Sequence, residues 1–195
     1  MEKEHLKKLL SFGNMKVGND TAIFNMNPAF RCPSEELGLC VIASKCYAKK
    51  AERMYPGTSP YRERQELYWD SIDADTFADE FIQSVSKKKN PIKYLRVSES
   101  GDFKGQSDVD KLSDIANQLG KHNIVVYTYT ARKDLDFSKK SKNLIVNGSG
   151  FMVSNNFYII KEKEDKSDKF LCPGGCLKCN LCKEEKSRNI AVLEH

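Results

Sequence analysis

Apolar positions along this chain recur with two periods, and the alternation between them predicts the architecture. Residues 21–26 (Thr-Ala-Ile-Phe-Asn-Met) read as a first strand, halted by Asn27-Pro28. Residues 92–97 are a second strand, ending at Ser98-Glu99-Ser100-Gly101-Asp102. Residues 108–119 follow with apolar positions at Val109, Leu112, Ile115, Ala116 and Leu119, a helical period closed by Gly120. Residues 124–130 form the strongest strand. Their continuous apolar start predicts burial on both faces, as in a parallel sheet. A short helical or irregular piece surrounds 135–137. Residues 144–147 are another strand, and 151–153 and 157–160 add two short ones.

Helices fill the remaining periodic stretches. A short one covers 6–10, and another runs from about Ser44 to Met54 until Pro56-Gly57 breaks it. Residues 61–72 form a charged amphipathic helix, with Trp69 as a core residue, and Asp75 caps a helix reaching Lys87. Strand, helix, strand, helix, strand predicts right-handed βα units in an α/β layer architecture. The expected fold is a partial, truncated TIM-like barrel or an open, mostly parallel sheet, carrying a compact cysteine-rich C-terminal appendage. Residues 1–192 make one domain, 161–169 are a charged linker, 170–184 a metal-binding segment, and 193–195 read as a tag remnant. In such folds active sites lie at the carboxyl ends of strands. The loop after the first strand, 98–102, 130–132 and 147–149 all fall on that rim.

Composition narrows the chemistry. The 195 residues are 39% hydrophobic and 30% charged, a balance that supports a core without staples. A net charge of +5 permits contact with nucleic acid without demanding it. Histidine is too scarce for histidine-rich metal sites or a serine–histidine pair. The absence of a run of about 18 apolar residues argues against a membrane span, and the polar opening lacks a signal-peptide core. A cytoplasmic location follows as the expectation, where clustered cysteines are metal ligands or redox groups more often than disulfides.

All seven cysteines fall in two groups, Cys32, Cys40 and Cys46, and then Cys172, Cys176, Cys179 and Cys182, with about 125 residues between them. The second group, Cys-Pro-Gly-Gly-Cys-Leu-Lys-Cys-Asn-Leu-Cys, wraps tightly around one object. Zinc sites usually draw paired cysteines from two separated knuckles. Uniformly short spacers resemble the loops of bacterial ferredoxins, so a [4Fe–4S] cluster is expected, with zinc as the alternative. The first group follows the first strand with looser spacing. Its three thiolates could hold a second, open cluster, or share one with the C-terminal group. Arg96 could balance an anionic cluster or bind phosphate, while Glu99 and Asp102 could bind a cation or amine. Lys139-Lys140 and Lys87-Lys88-Lys89 are solvated charges or weak nucleic-acid contacts.

Several strings occur together: Asn27-Pro28-Ala29-Phe30-Arg31-Cys32-Pro33, Cys46-Tyr47-Ala48, Arg96 through Phe103, and Tyr127-Thr128-Tyr129-Thr130. Their order resembles the "gene product 88" proteins of phages and mobile elements, a family without an assigned activity. A wider similarity is to radical S-adenosylmethionine barrels. There a cysteine loop follows the first strand, and a glycine-containing acidic turn after the second holds the cofactor's amine. That similarity implies S-adenosylmethionine near Arg96, Glu99, Gly101 and Asp102. The string Cys172-x3-Cys176-x2-Cys179 also spells the superfamily's pattern, but it comes where no barrel follows. The expected function is therefore an iron–sulfur protein, a radical-enzyme-like catalyst or redox protein with a small-molecule ligand or redox partner. The competing class is a nucleic-acid- or protein-binding module in which the metal is structural.

Overall fold

The computed structural model describes residues 5–13, 17–161, 170–176 and 179–194. Among these, one sheet of eight strands carries the fold: β1 (Ser11–Phe12), β2 (Thr21–Phe24), β3 (Tyr94–Val97), β4 (Val125–Thr130), β5 (Leu144–Ser149), β6 (Asn155–Ile160), β7 (Phe170–Leu171) and β8 (Asn189–Leu193). Their order is β1-β2-β3-β4-β5-β6-β8-β7. Only β1 runs antiparallel, against β2; every other pairing is parallel. The mostly parallel α/β sheet expected from the strand–helix alternation is thus present.

Strand after strand is added on the same side, so right-handed crossovers place their helices on one face. These are α1 (Leu6–Leu9), α2 (Pro33–Glu36), α3 (Tyr47–Met54), α4 (Thr58–Ser71), α5 (Ala74–Val85) and α6 (Gln106–Gly120). The period of two then sorts the side chains. Ala22, Phe24, Leu95, Val97, Val126, Leu144 and Val146 face the helices and pack with Trp69, Phe77, Phe81, Leu112 and Ile115 in the main core. Tyr127, Ile145, Phe157 and Ile190 form a second cluster on the opposite face. Register confirms the alternation, because Arg96 pairs with Tyr127 and Tyr127 with Ile145.

Local signals explain most helix boundaries. Asp73 caps α5 by accepting the Thr76 amide at 2.7 Å, two residues earlier than the expected cap at Asp75. The charged helix α4 buries Arg62, Gln65 and Glu66 as well as Trp69, because partners meet these three polar side chains. Gln65 accepts from Asn25 at 3.0 Å and donates to Leu9 O, and Arg62 donates to Glu52 at 2.8 Å. Burial of such groups is tolerated when their hydrogen bonds are made.

Two expectations are corrected. Residues 151–153 form a turn rather than a strand; the strand begins later, at Asn155, where Asn155 pairs with Asn147. The C-terminal segment is also no free appendage, since β7 and β8 extend the sheet beyond β6. The short apolar run 190–193, bounded by charge, is β8, and Leu193 pairs with Ile160. The charged linker falls mostly on 162–169, outside the described residues.

Candidate metal centre on the face opposite the helices

The first cysteine loop leaves the carboxyl end of β2 and is held from below by a network of buried polar groups. Asn25 and Asn27, just past the strand, read the turn after β3. Ser100 N donates to Asn25 Oδ1 at 2.8 Å, Asp102 N donates to Asn27 Oδ1 at 3.0 Å, and Asn27 Nδ2 donates to Asp102 O at 2.7 Å. Gly101 lies at φ 76° against this pair, where a Cβ would fall 1.9 Å from Asn27 Oδ1. No other residue type fits that approach.

Asp102 is the hub. Its carboxylate accepts Ser34 Oγ at 2.5 Å, Thr130 Oγ1 at 2.7 Å, Ala131 N at 2.9 Å and its neighbour Phe103 N at 2.8 Å. It therefore joins the first cysteine loop, the β3 turn and the end of β4. Burial raises its pKa, and these hydrogen bonds oppose the rise. The same carboxylate acts on Cys32, whose thiol is pushed up to about 12, first by burial and then by Asp102. Burial also raises Cys40. Glu52 supports the loop from α3, accepting Ala29 N at 2.7 Å and Phe30 N at 3.2 Å while paired to Arg62. A cleft of about 520 Å³ opens beside Cys46, bordered by Lys49, Glu52 and Arg53.

The last cysteine group meets the face of the sheet opposite the helices. Cys172 and Cys182 pack into the cluster of Tyr127, Ile145 and Phe157. Two asparagines on adjacent strands hold this segment. Asn147 Nδ2 donates to Cys182 O at 2.9 Å, and Asn155 Nδ2 donates to Glu184 O at 2.8 Å. Lys183 places its ammonium 3.9 Å above the Tyr94 ring. The Cys182 thiol is raised by burial, against the opposing effects of the Tyr129 hydroxyl, Arg96 and Lys183.

Arg96 lies on the same face, in register with Tyr127. Its guanidinium lies 5.7 Å from the Tyr129 ring, 3.4 Å from Tyr47 Oη and 3.5 Å from Glu99 Oε1. These contacts are long for a guanidinium, and Arg96 Nε is buried without a hydrogen-bond partner among the described residues. Burial opposes its charge, but Tyr47, Tyr129 and Glu99 outweigh that and hold its pKa above the ordinary value. Tyr47, next to Cys46, donates to Glu99 O at 2.6 Å. Tyr127 lies within electrostatic reach of Arg96, Cys182, Cys176 and Glu99. Lys45 in the first loop also reaches Glu194 after β8 at 2.6 Å, so opposite margins of the parallel sheet meet across this face.

Of the sequence-derived candidates, Arg96 thus meets Tyr47 beside Cys46 and acts on Cys182, with Glu99 next to it, whereas Gly101 and Asp102 are turned into the fold. Asn147, Asn155, Glu52 and Ser34 were not among the candidates. A buried asparagine in an apolar strand, as at Leu-Ile-Val-Asn147, is the one signal that pointed to any of them. The donor chemistry fits a thiophilic centre: seven thiols, all free of disulfides, beside a guanidinium with spare donors. Among the described residues, no three Cys, His, Asp or Glu side chains converge as a ligand set.

These features define a one-sided, mostly parallel α/β protein with a half-buried arginine, Arg96, on the face that Cys172 and Cys182 cover. The chain belongs to the gene product 88 family, whose profile matches residues 3–169. The match includes the first cysteine group and the Arg96–Asp102 turn, and stops short of Cys172. No curated protein and no solved structure matches the chain. Among the described residues, no helix is long and apolar enough to cross a membrane.

Proposed function

We propose that this protein holds an iron–sulfur cluster on the face opposite the helices of a partial barrel. Cys172, Cys176, Cys179 and Cys182 are its primary ligands. The first loop supplies a second, open or shared set through Cys40 and Cys46, with Cys32 nearest the fold's interior. The observation that carries this reading is Arg96, a half-buried cation with an unpartnered Nε, which acts on Cys182 and meets Tyr47, the neighbour of Cys46. A thiolate-ligated cluster is anionic, and a guanidinium with free N–H donors is suited to balance it. Bound there, the cluster would supply one-electron chemistry. The chain's own contribution is to shelter it under Tyr127 and Tyr129 and to leave the cleft beside Cys46 open to a small molecule. S-adenosylmethionine is the ligand implied by the wider resemblance, with Arg96 and Glu99 nearest to receive it.

Anaerobic purification with iron and sulfide analysis tests the proposal. About four or eight irons per chain, with matching sulfide and an EPR signal on reduction, is the expected result. A colourless protein with stoichiometric zinc would replace it with a structural metal site. Adding S-adenosylmethionine to the reduced protein should change the EPR signal if an iron is open. An unchanged signal would favour a redox protein.

A further inference from the structure

On the helix side of the sheet α6 packs on β4 and β5, but the crossover from β4 to β5 contributes no helix of its own. Residues 131–143 make this connection as a run of turns. Where a helix would ordinarily pack, a cleft of about 650 Å³ remains, within the span of small-molecule sites. Its apolar floor includes Phe137, Phe151 and Met152; its rim carries Lys133, Lys140 and Lys142. Phe137 and Phe151 stand 6.4 Å apart, and Phe137 leans on the fully buried Phe103 at 6.0 Å, so the aromatic floor is anchored in the core.

Charge on the rim is predominantly positive, with Lys133, Lys140 and Lys142 against Glu185. Asp134 is held by two hydrogen bonds from Arg132, at 2.8 and 2.7 Å. Asp136 accepts the Ser138 amide at 2.8 Å, and Glu185 is paired with Lys140 at 2.9 Å. Lys133 and Lys142 are exposed, and neither forms an ion pair among the described residues. An aromatic floor beside free ammonium groups matches a planar base joined to a phosphate, because stacking tolerates any base while lysines neutralise the backbone.

We propose that this cleft binds a nucleotide unit of single-stranded nucleic acid, with the base against Phe151 and Phe137 and adjoining phosphates at Lys133 and Lys142. The cleft touches the segment after Cys182 only through Glu185, and none of its lining residues is a cysteine. Its test is fluorescence anisotropy of the full chain with a labelled oligothymidylate. If two phosphates are neutralised, affinity should fall about sevenfold between about 50 and about 200 mM salt. Joint charge reversal, Lys133→Glu with Lys142→Glu, should weaken binding about tenfold or more. Phe151→Leu, which keeps the apolar filling, should weaken it about tenfold through lost stacking. The equally exposed pair Lys87→Glu with Lys89→Glu should leave it unchanged. Adenosine monophosphate competing as well as the oligomer, per nucleotide, would assign the site to free nucleotides and overturn the single-strand proposal. Equal losses from both lysine pairs would overturn it too, as would equal competition by polyglutamate or no binding at low salt.

Discussion

Asn155 donates its side-chain amide to Asn147 Oδ1 at 3.0 Å, and this pair of buried amides fastens the cysteine-rich segment to the sheet. Asn147 passes the contact on to Thr128 O and Cys182 O, while Asn155 reaches Glu184 O and accepts Lys186 N. A strand side chain here replaces the backbone pairing that an irregular segment cannot supply. Asn155→Ala should therefore lower unfolding free energy by about 2–3 kcal/mol, since several buried groups lose their partners. The metal-free variant should also show faster alkylation of Cys176, Cys179 and Cys182 than wild type. Unchanged labelling rates would mean that the segment is held by its own packing.

Glu52 and Arg62 are each 7% exposed at the side chain, and Glu52 also receives the amides that open the first cysteine loop. Removing the carboxylate strands a buried guanidinium. Glu52→Ala should cost about 3–5 kcal/mol in urea unfolding. The double replacement Glu52→Leu with Arg62→Met should cost less than Glu52→Ala, because no unpaired charge remains. Cys46 alkylation should accelerate in both, as the loop loses its anchor. A double variant no more stable than Glu52→Ala would show that the loop amides, not the ion pair, set the energy.

The strand and helix periods revealed the sheet's direction, the placement of α6 and the rim on which the first cysteines lie. They also distinguished Arg96 as an unusual cation inside a strand. Position along the chain could not reveal that the last cysteines fold back over the same face. That depends on β8, whose five residues are too short and too near a charged run to signal a strand. It depends also on Asn147 and Asn155, whose partners are backbone atoms about 30 residues away. The acidic turn was misleading in one respect. Glu99 and Asp102 look equivalent in sequence, but the left-handed Gly101 turns Asp102 inward to Ser34 and Thr130 and leaves Glu99 beside Arg96.

Asp102 acts on both Cys32 and Cys40, but it is the largest influence after burial only on Cys32. Burial and Asp102 push its thiol up to about 12, which disfavours the thiolate that a metal requires. In reconstituted protein, Cys32→Ser should retain most of the wild-type iron, whereas Cys176→Ser and Cys179→Ser should lose most of the C-terminal cluster. Iron and sulfide analysis of the three variants, with circular dichroism to verify folding, provides the comparison. Loss of iron in folded Cys32→Ser equal to that in Cys179→Ser would place Cys32 among the essential ligands.

Asp102 should also leave a signature in the pH dependence of stability. Burial raises its folded pKa above the ordinary value of 3.8, despite the hydrogen bonds it accepts from Ser34, Thr130, Ala131 and Phe103. The folded state therefore holds this proton more tightly than the unfolded chain. The resulting stabilisation is complete below the ordinary value and is lost as pH rises through the folded one. Asp102→Asn has no proton to lose, so its stability relative to wild type should improve as pH increases across that window. Urea midpoints of both proteins, taken at intervals upward from about pH 4, measure the difference directly. Parallel curves would show that Asp102 keeps its ordinary acidity, with the four hydrogen bonds fully offsetting burial.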